Sequence, residues 1–205
     1  IPLRWDSGDY FVNSVRLAEK GIANWHYDRR APGYFFFLST SLALSGNNSM
    51  PFARGMPSLV STATSALVYA LALLAFRNLA RRRWVALAAA ALIAFYPDHI
   101  FFSNLFWTET WFVFLTLFGL AALLKSYHQN FSKAWLFSAG ILLAMATLTR
   151  ELLFAFTVVL VPLWLWLVSL SNQRKAFTRM ILYWLAIVLI ILPWTYRNYA
   201  EGYGI

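Results

Sequence analysis

The sequence predicts an all-α polytopic membrane protein, with about six transmembrane helices and two interfacial helices in its first extracytoplasmic loop. Three observations carry this. Of 205 residues, 60% are hydrophobic and 12% charged, whereas a soluble domain carries about a quarter charged residues. Apolar runs recur at lengths near the roughly 20 residues that a bilayer needs. The charges between those runs change character from one loop to the next, as they do in a chain that crosses back and forth.

The elements follow in order. Asp9 to Gly21 reads as an amphipathic helix: Phe11, Val15, Ala18 and Ile22 recur at helical spacing, with Asp9, Asn13, Arg16 and Lys20 on another face. It is too short and too charged to cross, so it lies at the interface. A polar connector, Asn24 to Arg30, leads to Ala31-Pro32-Gly33-Tyr34 and an apolar stretch from Phe35 to Leu44. That stretch is about half a span, which makes it a second interfacial or re-entrant helix. Residues 1–53 thus form an extracytoplasmic loop and 54–205 a helical bundle.

Arg54 and Pro57 open the first full crossing, which runs to about Leu79. Further crossings are Trp84–Tyr96, Phe106–Leu124, 134–149, 152–169 and Met180–Trp194. The chain opens on isoleucine with no visible signal peptide, and it reads as a fragment of a larger membrane domain.

Six crossings place the loops alternately on two sides, and the charges sort with them. One side holds Arg77, Arg81, Arg82, Arg83, Lys125, Lys133, Arg174, Lys175 and Arg179, with no acid. The other holds all eight acids and the remaining eight basic residues, for a formal sum of zero. The positive-inside rule makes the first side cytoplasmic. The whole net charge of +9 is therefore a topology signal and needs no nucleic acid. The absence of cysteine excludes disulfides, thiolate catalysis and zinc–thiolate sites.

Eight acids in such a chain are few, and they converge on the extracytoplasmic face. Asp6 and Asp9 stand three apart ahead of the first helix. They suit helix capping first, with Asp6 at the N-cap and Asp9 at N3, and also a base that deprotonates an acceptor at the membrane surface. Glu109 stands at the outer mouth of a crossing, where an ionised carboxylate must be paired or wet. Arg150 and Glu151 occupy an outer turn, and Arg29-Arg30 precede the second interfacial helix. Arginines there suit a phosphate by charge and bidentate geometry, or a lipid headgroup. A divalent ion, if one is used, would fall to Asp6 and Asp9. His26 and His99 share that face without ligand spacing, and His128 lies on the other side.

Taken in order, Asp6-Ser7-Gly8-Asp9-Tyr10, Arg30-Ala31-Pro32-Gly33-Tyr34, Arg54, Thr108-Glu109, Leu148-Thr149-Arg150 and Pro193-Trp194-Thr195-Tyr196-Arg197-Asn198-Tyr199 resemble the N-terminal membrane half of the GT-C glycosyltransferases. The group is that of the protein mannosyltransferases and the lipid A aminoarabinose transferases. The resemblance implies inverting transfer from a polyprenyl-phosphate sugar to an acceptor glycan, lipid or protein. It places the active face on the periplasmic or extracellular side of a bacterial inner membrane. By position it makes Asp6 the catalytic acid residue, with Asp9 and Glu109 beside it, and Arg30 and Arg150 the residues at the donor phosphate. The familiar pattern has an Asp-Glu pair where Ser7 follows Asp6, and two prolines where Ala31-Pro32 stands; these departures leave the acceptor open. Two other readings are a transporter or flippase for a lipid-linked sugar and a non-catalytic membrane scaffold. Spans that are clean at mid-depth favour surface chemistry over transport.

Overall fold

The computed structural model describes residues 6–25, 30–46 and 50–202. Among them it is all helical, with no strand. The helices are α1 (Asp6–Lys20), α2 (Gly33–Ser45), α3 (Met50–Ala75), α4 (Arg82–Ala94), α5 (Pro97–Phe102), α6 (Thr108–His128), α7 (Lys133–Thr149), α8 (Val161–Leu167) and α9 (Gln173–Ala200). Short 3-10 turns at Ile22–Asn24 and Glu151–Leu153, and a π-helical turn at Phe156–Leu160, join them.

Three helices, α3, α6 and α9, are long and apolar enough to cross a membrane, by length and composition. At about 1.5 Å per residue each exceeds the roughly 30 Å hydrocarbon layer. The other three expected crossings are shorter: α4 has 13 residues, α7 has 17, and the run through α8 is broken into a 3-10 turn, a π turn and an α-helix. The outward faces are apolar, with Leu92 75% and Phe95 80% exposed and Leu185 and Leu192 likewise uncovered, as lipid contact requires.

Several boundaries differ from the sequence expectation. Helix α1 begins at Asp6, so Asp6 lies within the first turn and is not its N-cap. Pro57 and Pro193 lie inside α3 and α9. Each removes one ladder hydrogen bond, yet neither helix stops there. Pro97-Asp98-His99, which reads as the end of the crossing from Trp84 to Tyr96, instead opens a short helix of its own, Pro97–Phe102. Gly21 does end α1, in the left-handed region at φ 72°.

The bundle is a row. Helix α7 is packed between α6 and α9, α6 continues to α3, and α3 to α4. Leu136, Ala139, Leu143, Ala144, Leu165 and Tyr183 form the core between α6, α7, α8 and α9. Close approach is the rule there. A Cβ on Gly140 would fall 2.7 Å from the Ala186 Cβ and 2.8 Å from the Tyr183 carbonyl oxygen, so α7 and α9 meet through small residues, as membrane helices do. A second, aromatic core ties the interfacial pair to the bundle. Tyr34, Phe35, Leu38 and Leu42 of α2 are fully buried against Tyr10, Leu17, Trp25, Ala53 and Phe106. Phe37 stacks on Trp111 at 4.2 Å. Helix α2 is thus a structural layer over one end of α3, α6 and α7, with α1 laid upon it.

This packing predicts opposite outcomes at two glycines. Gly140→Ala forces α7 from α9 and should cost about 1–3 kcal/mol, read as a lower thermal midpoint in detergent. Gly55→Ala meets open space within 4 Å and should leave the midpoint unchanged or raise it.

Candidate active site

Helix α1 supplies the first half of the site through its periodicity. Asp6, Asp9, Tyr10 and Asn13 recur at i, i+3, i+4 and i+7, so they share one face. That face receives Arg30. The guanidinium forks onto Asp6, with Nη2 donating to Oδ1 at 2.7 Å and Nη1 to Oδ2 at 3.0 Å. Its Nε donates to Asp9 Oδ2 at 3.1 Å. Asn13 secures the other oxygen of Asp9 at 2.9 Å. The guanidinium carbon lies 5.0 Å from the centroid of the Tyr10 ring, a cation–π distance.

One arginine therefore occupies both carboxylates. The hydrogen bonds from Arg30 hold the Asp6 carboxyl below its ordinary value, against the opposing effect of burial. The Arg30 guanidinium is raised in turn, chiefly by its bond to Asp6. Burial pushes the Tyr10 hydroxyl up, with the charges of Asp6 and Glu109 adding to it. Tyr34, entirely buried, is raised mainly by desolvation and further by Tyr10 and Glu109, and its hydroxyl has no partner among the described residues.

The second half comes from α6 and α7. Glu109 opens α6 in its first turn, and its Oε1 accepts from Arg150 Nη2 at 2.7 Å. Arg150 terminates α7 in extended conformation, at φ −145° and ψ 115°. Helix α7 is four residues shorter than α6, a shortfall of about 6 Å at 1.5 Å per residue. Gly33, the first residue of α2, fits closely against its end. A Cβ there would lie 2.4 Å from Thr149 Oγ1 and 2.8 Å from the Thr149 nitrogen. The two arginines meet in consequence: Arg30 and Arg150 line one cavity of about 800 Å³, with Tyr10, Thr149, Glu151 and Trp194.

The C-terminal motif closes the arrangement. Arg197 donates to the Trp25 carbonyl, pairs with Glu201 at 3.0 Å and lies over the Trp194 ring at 4.8 Å. It fastens the end of α9 to the connector behind α1.

A sequence model of the family described as dolichyl-phosphate-mannose-protein mannosyltransferase matches residues 30–202. The chain belongs to this family. It is a membrane glycosyltransferase of the GT-C type. No curated protein and no solved structure gives a match. The range matched to the mannosyltransferase family contains Arg30, Glu109 and Arg150, while α1, with Asp6 and Asp9, lies ahead of it.

All five expected site residues thus fall into two ion-pair clusters joined by one cavity. The arginines line it; Asp6, Asp9 and Glu109 hold the arginines from behind. Asp6 and Asp9 grip a guanidinium where a divalent ion was envisaged, and among the described residues no three His, Cys, Asp or Glu side chains gather as a metal site. His99 is buried, with Nε2 3.3 Å from the Ser61 carbonyl oxygen. His26 and Arg29 lie outside the described residues. Sequence reasoning missed Tyr10, which extending the helical periodicity back to Asp6 would have found. It also missed Trp194 as a cavity wall, for which the sequence holds no local signal.

The lowered Asp6 value predicts a pH-dependent stability difference. A carboxyl depressed on folding stabilises above its unfolded pKa of about 3.9, and the gain disappears as pH falls through the folded value. The thermal midpoint of Asp6→Asn should therefore trail wild type at pH 7. Because the Asp6 side chain is 50% exposed, the gap should be below about 1 kcal/mol. It should close below about pH 4; a gap that persists in acid would mean that charge pairing is not its source.

Proposed function

We propose that this chain transfers a sugar from a polyprenyl-phosphate donor to an acceptor hydroxyl or amine at the extracytoplasmic face of a bacterial inner membrane, with inversion and with Asp6 as base. The reading rests above all on one observation: two arginines, each tethered by carboxylates, line the same cavity at a recessed end of the bundle. Its apolar walls, among them Leu148, Phe154 and Trp194, suit the prenyl chain, and its cations suit the phosphate. The family match supports transferase chemistry, and the separation of charged loops supports six crossings with the site outside.

The reaction follows from the pairing. While Arg30 holds Asp6, that carboxylate is a poor base. The donor phosphate presents oxygens that displace the Asp6 oxygens from Nη1 and Nη2, with Asp9 retaining Nε. Asp6, released, returns toward the basicity of an ordinary carboxylate and takes the acceptor proton as the acceptor attacks C1. The C1–oxygen bond breaks, its electron pair passes to the departing phosphate, and Arg30 and Arg150 stabilise the charge gained there. Glu109 keeps Arg150 in place.

Asp6→Asn should lower transfer from polyprenyl-phosphate sugars about 10²–10⁴-fold, with expression and donor binding intact, in membranes containing the protein. Unchanged transfer would remove Asp6 from the reaction, and no transfer by wild type across a broad donor panel would return the transporter or scaffold reading. The acid limbs give a second check. For kcat/KM, which reports the free enzyme, the limb should lie below the ordinary carboxylate range. For kcat, which reports the donor-bound enzyme, it should lie at higher pH, because Arg30 has left Asp6.

A further inference from the structure

At the opposite end of the bundle the positive charge is handled in another way. The ends of α3, α6, α7, α8 and α9 surround a cavity of about 810 Å³. Arg77, Lys133, Arg174, Lys175 and Arg179 line it, and His128 completes the wall. No acidic residue lines it, and none of these five cations forms an ion pair among the described residues. Five like charges around one hollow repel one another unless an anion enters.

The hollow is also amphipathic. Tyr127, Phe131, Leu136 and Leu182 form its apolar side, next to helices whose outer faces are uncovered apolar surface. Phe131 has a left-handed backbone, at φ 62°, which is strained for an aromatic residue. Its ring centroid lies 3.5 Å from the Arg179 guanidinium carbon, while Arg179 also donates to Ser169 Oγ. The central cation is thereby held in a fixed orientation. His128 donates through Nε2 to the Leu74 carbonyl at 3.0 Å, and its buried Nδ1 has no partner among the described residues. Arg81 on the preceding turn and Arg82 and Arg83 at the start of α4, by contrast, are exposed and have no part in the cavity.

We infer that this cavity binds the phosphate of an anionic membrane lipid, with the cations around the headgroup and the acyl chains against the apolar side. The volume is that of a ligand site, and basic pockets between membrane helices take anionic headgroups in this manner. A free phosphate would satisfy the cations alone and leave the aromatic side without a function. The inference does not depend on the reaction at the other end.

The test is a titration of the purified protein in neutral detergent with short-chain phosphatidylglycerol, phosphatidylcholine and inorganic phosphate, bound ligand being counted by native mass spectrometry. Phosphatidylglycerol should bind stoichiometrically and the other two should not. Arg174→Gln with Lys175→Gln should weaken it about 25-fold, at about fivefold per cation. Lys133→Gln, at the start of α7, should weaken it about fivefold. Arg81→Gln with Arg83→Gln should leave it unchanged. Equal weakening by the Arg81/Arg83 pair would replace the site with diffuse surface charge. Inorganic phosphate binding as tightly as the lipid would assign the cavity to a free anion. No binding of phosphatidylglycerol would overturn the proposal.

Discussion

The candidate site depends on a single close approach, that of Gly33 to Thr149. Any side chain at position 33 would overlap the backbone of α7, so the start of α2 can rest on the end of α7 only because glycine stands there. The consequences reach in both directions along the chain. Upstream, Arg30 is three residues from Gly33 and is brought over the cavity. Downstream, Arg150 follows Thr149 directly. The two cations that line the cavity are thus set by one contact between elements more than a hundred residues apart. The aromatic core makes that contact stable. With Tyr34, Phe35, Leu38 and Leu42 fully buried, α2 is held by apolar area in a place where its own short length would not keep it.

Each arginine arrives with its own carboxylate, and this has an electrostatic reason. A guanidinium at the edge of an apolar bundle is costly unless it is neutralised or hydrated. Asp6, Asp9 and Glu109 neutralise the pair locally, so the site is preassembled without a large field. They also immobilise the forks. Arg30 is bonded through all three nitrogens, which removes rotamer freedom before any ligand arrives.

Much of this was legible in the sequence, and the residues show which kinds of information were present. The all-helical membrane character follows from composition, and the gathering of Arg77, Lys133, Arg174, Lys175 and Arg179 at one cavity agrees with the sorting of charges by loop. Asp6, Asp9 and Glu109 could be singled out as candidates because acids are rare enough to stand out in such a chain. What could not be read was their pairing. Asp6 and Arg30 carry opposite expected roles, base and phosphate ligand, and only the fold reveals that they occupy each other. Helix ends were the weaker part for a related reason. Pro57 reads as the start of a crossing and Pro193 as the end of one, yet both lie inside helices, because in a membrane bundle the surrounding helices sustain a helix through a missing bond. The division of 151–167 into 3-10, π and α segments leaves no trace in an apolar run that has no polar period.

The two ends of the molecule show what carboxylate pairing adds. At the basic end no carboxylate among the described residues pairs with the lining cations, so an entering anionic headgroup has none to displace, and the apolar side adds to its hold. At the site end an anion must displace a carboxylate that already supplies two oxygens to the same fork. A monatomic anion offers one acceptor point for that exchange; a phosphate offers several oxygens in matching geometry, which is why the proposed reaction gives the fork to the donor. The exchange also has a direction in time. In the proposed reaction Asp6 becomes a competent base only after Arg30 has transferred its bonds to the donor, which ties acceptor deprotonation to the presence of the leaving group that can use it. Water faces a masked carboxylate whenever the donor is absent. The same ion pair that settles Arg30 at the membrane edge therefore serves, in the proposed reaction, as the condition on which the base is released.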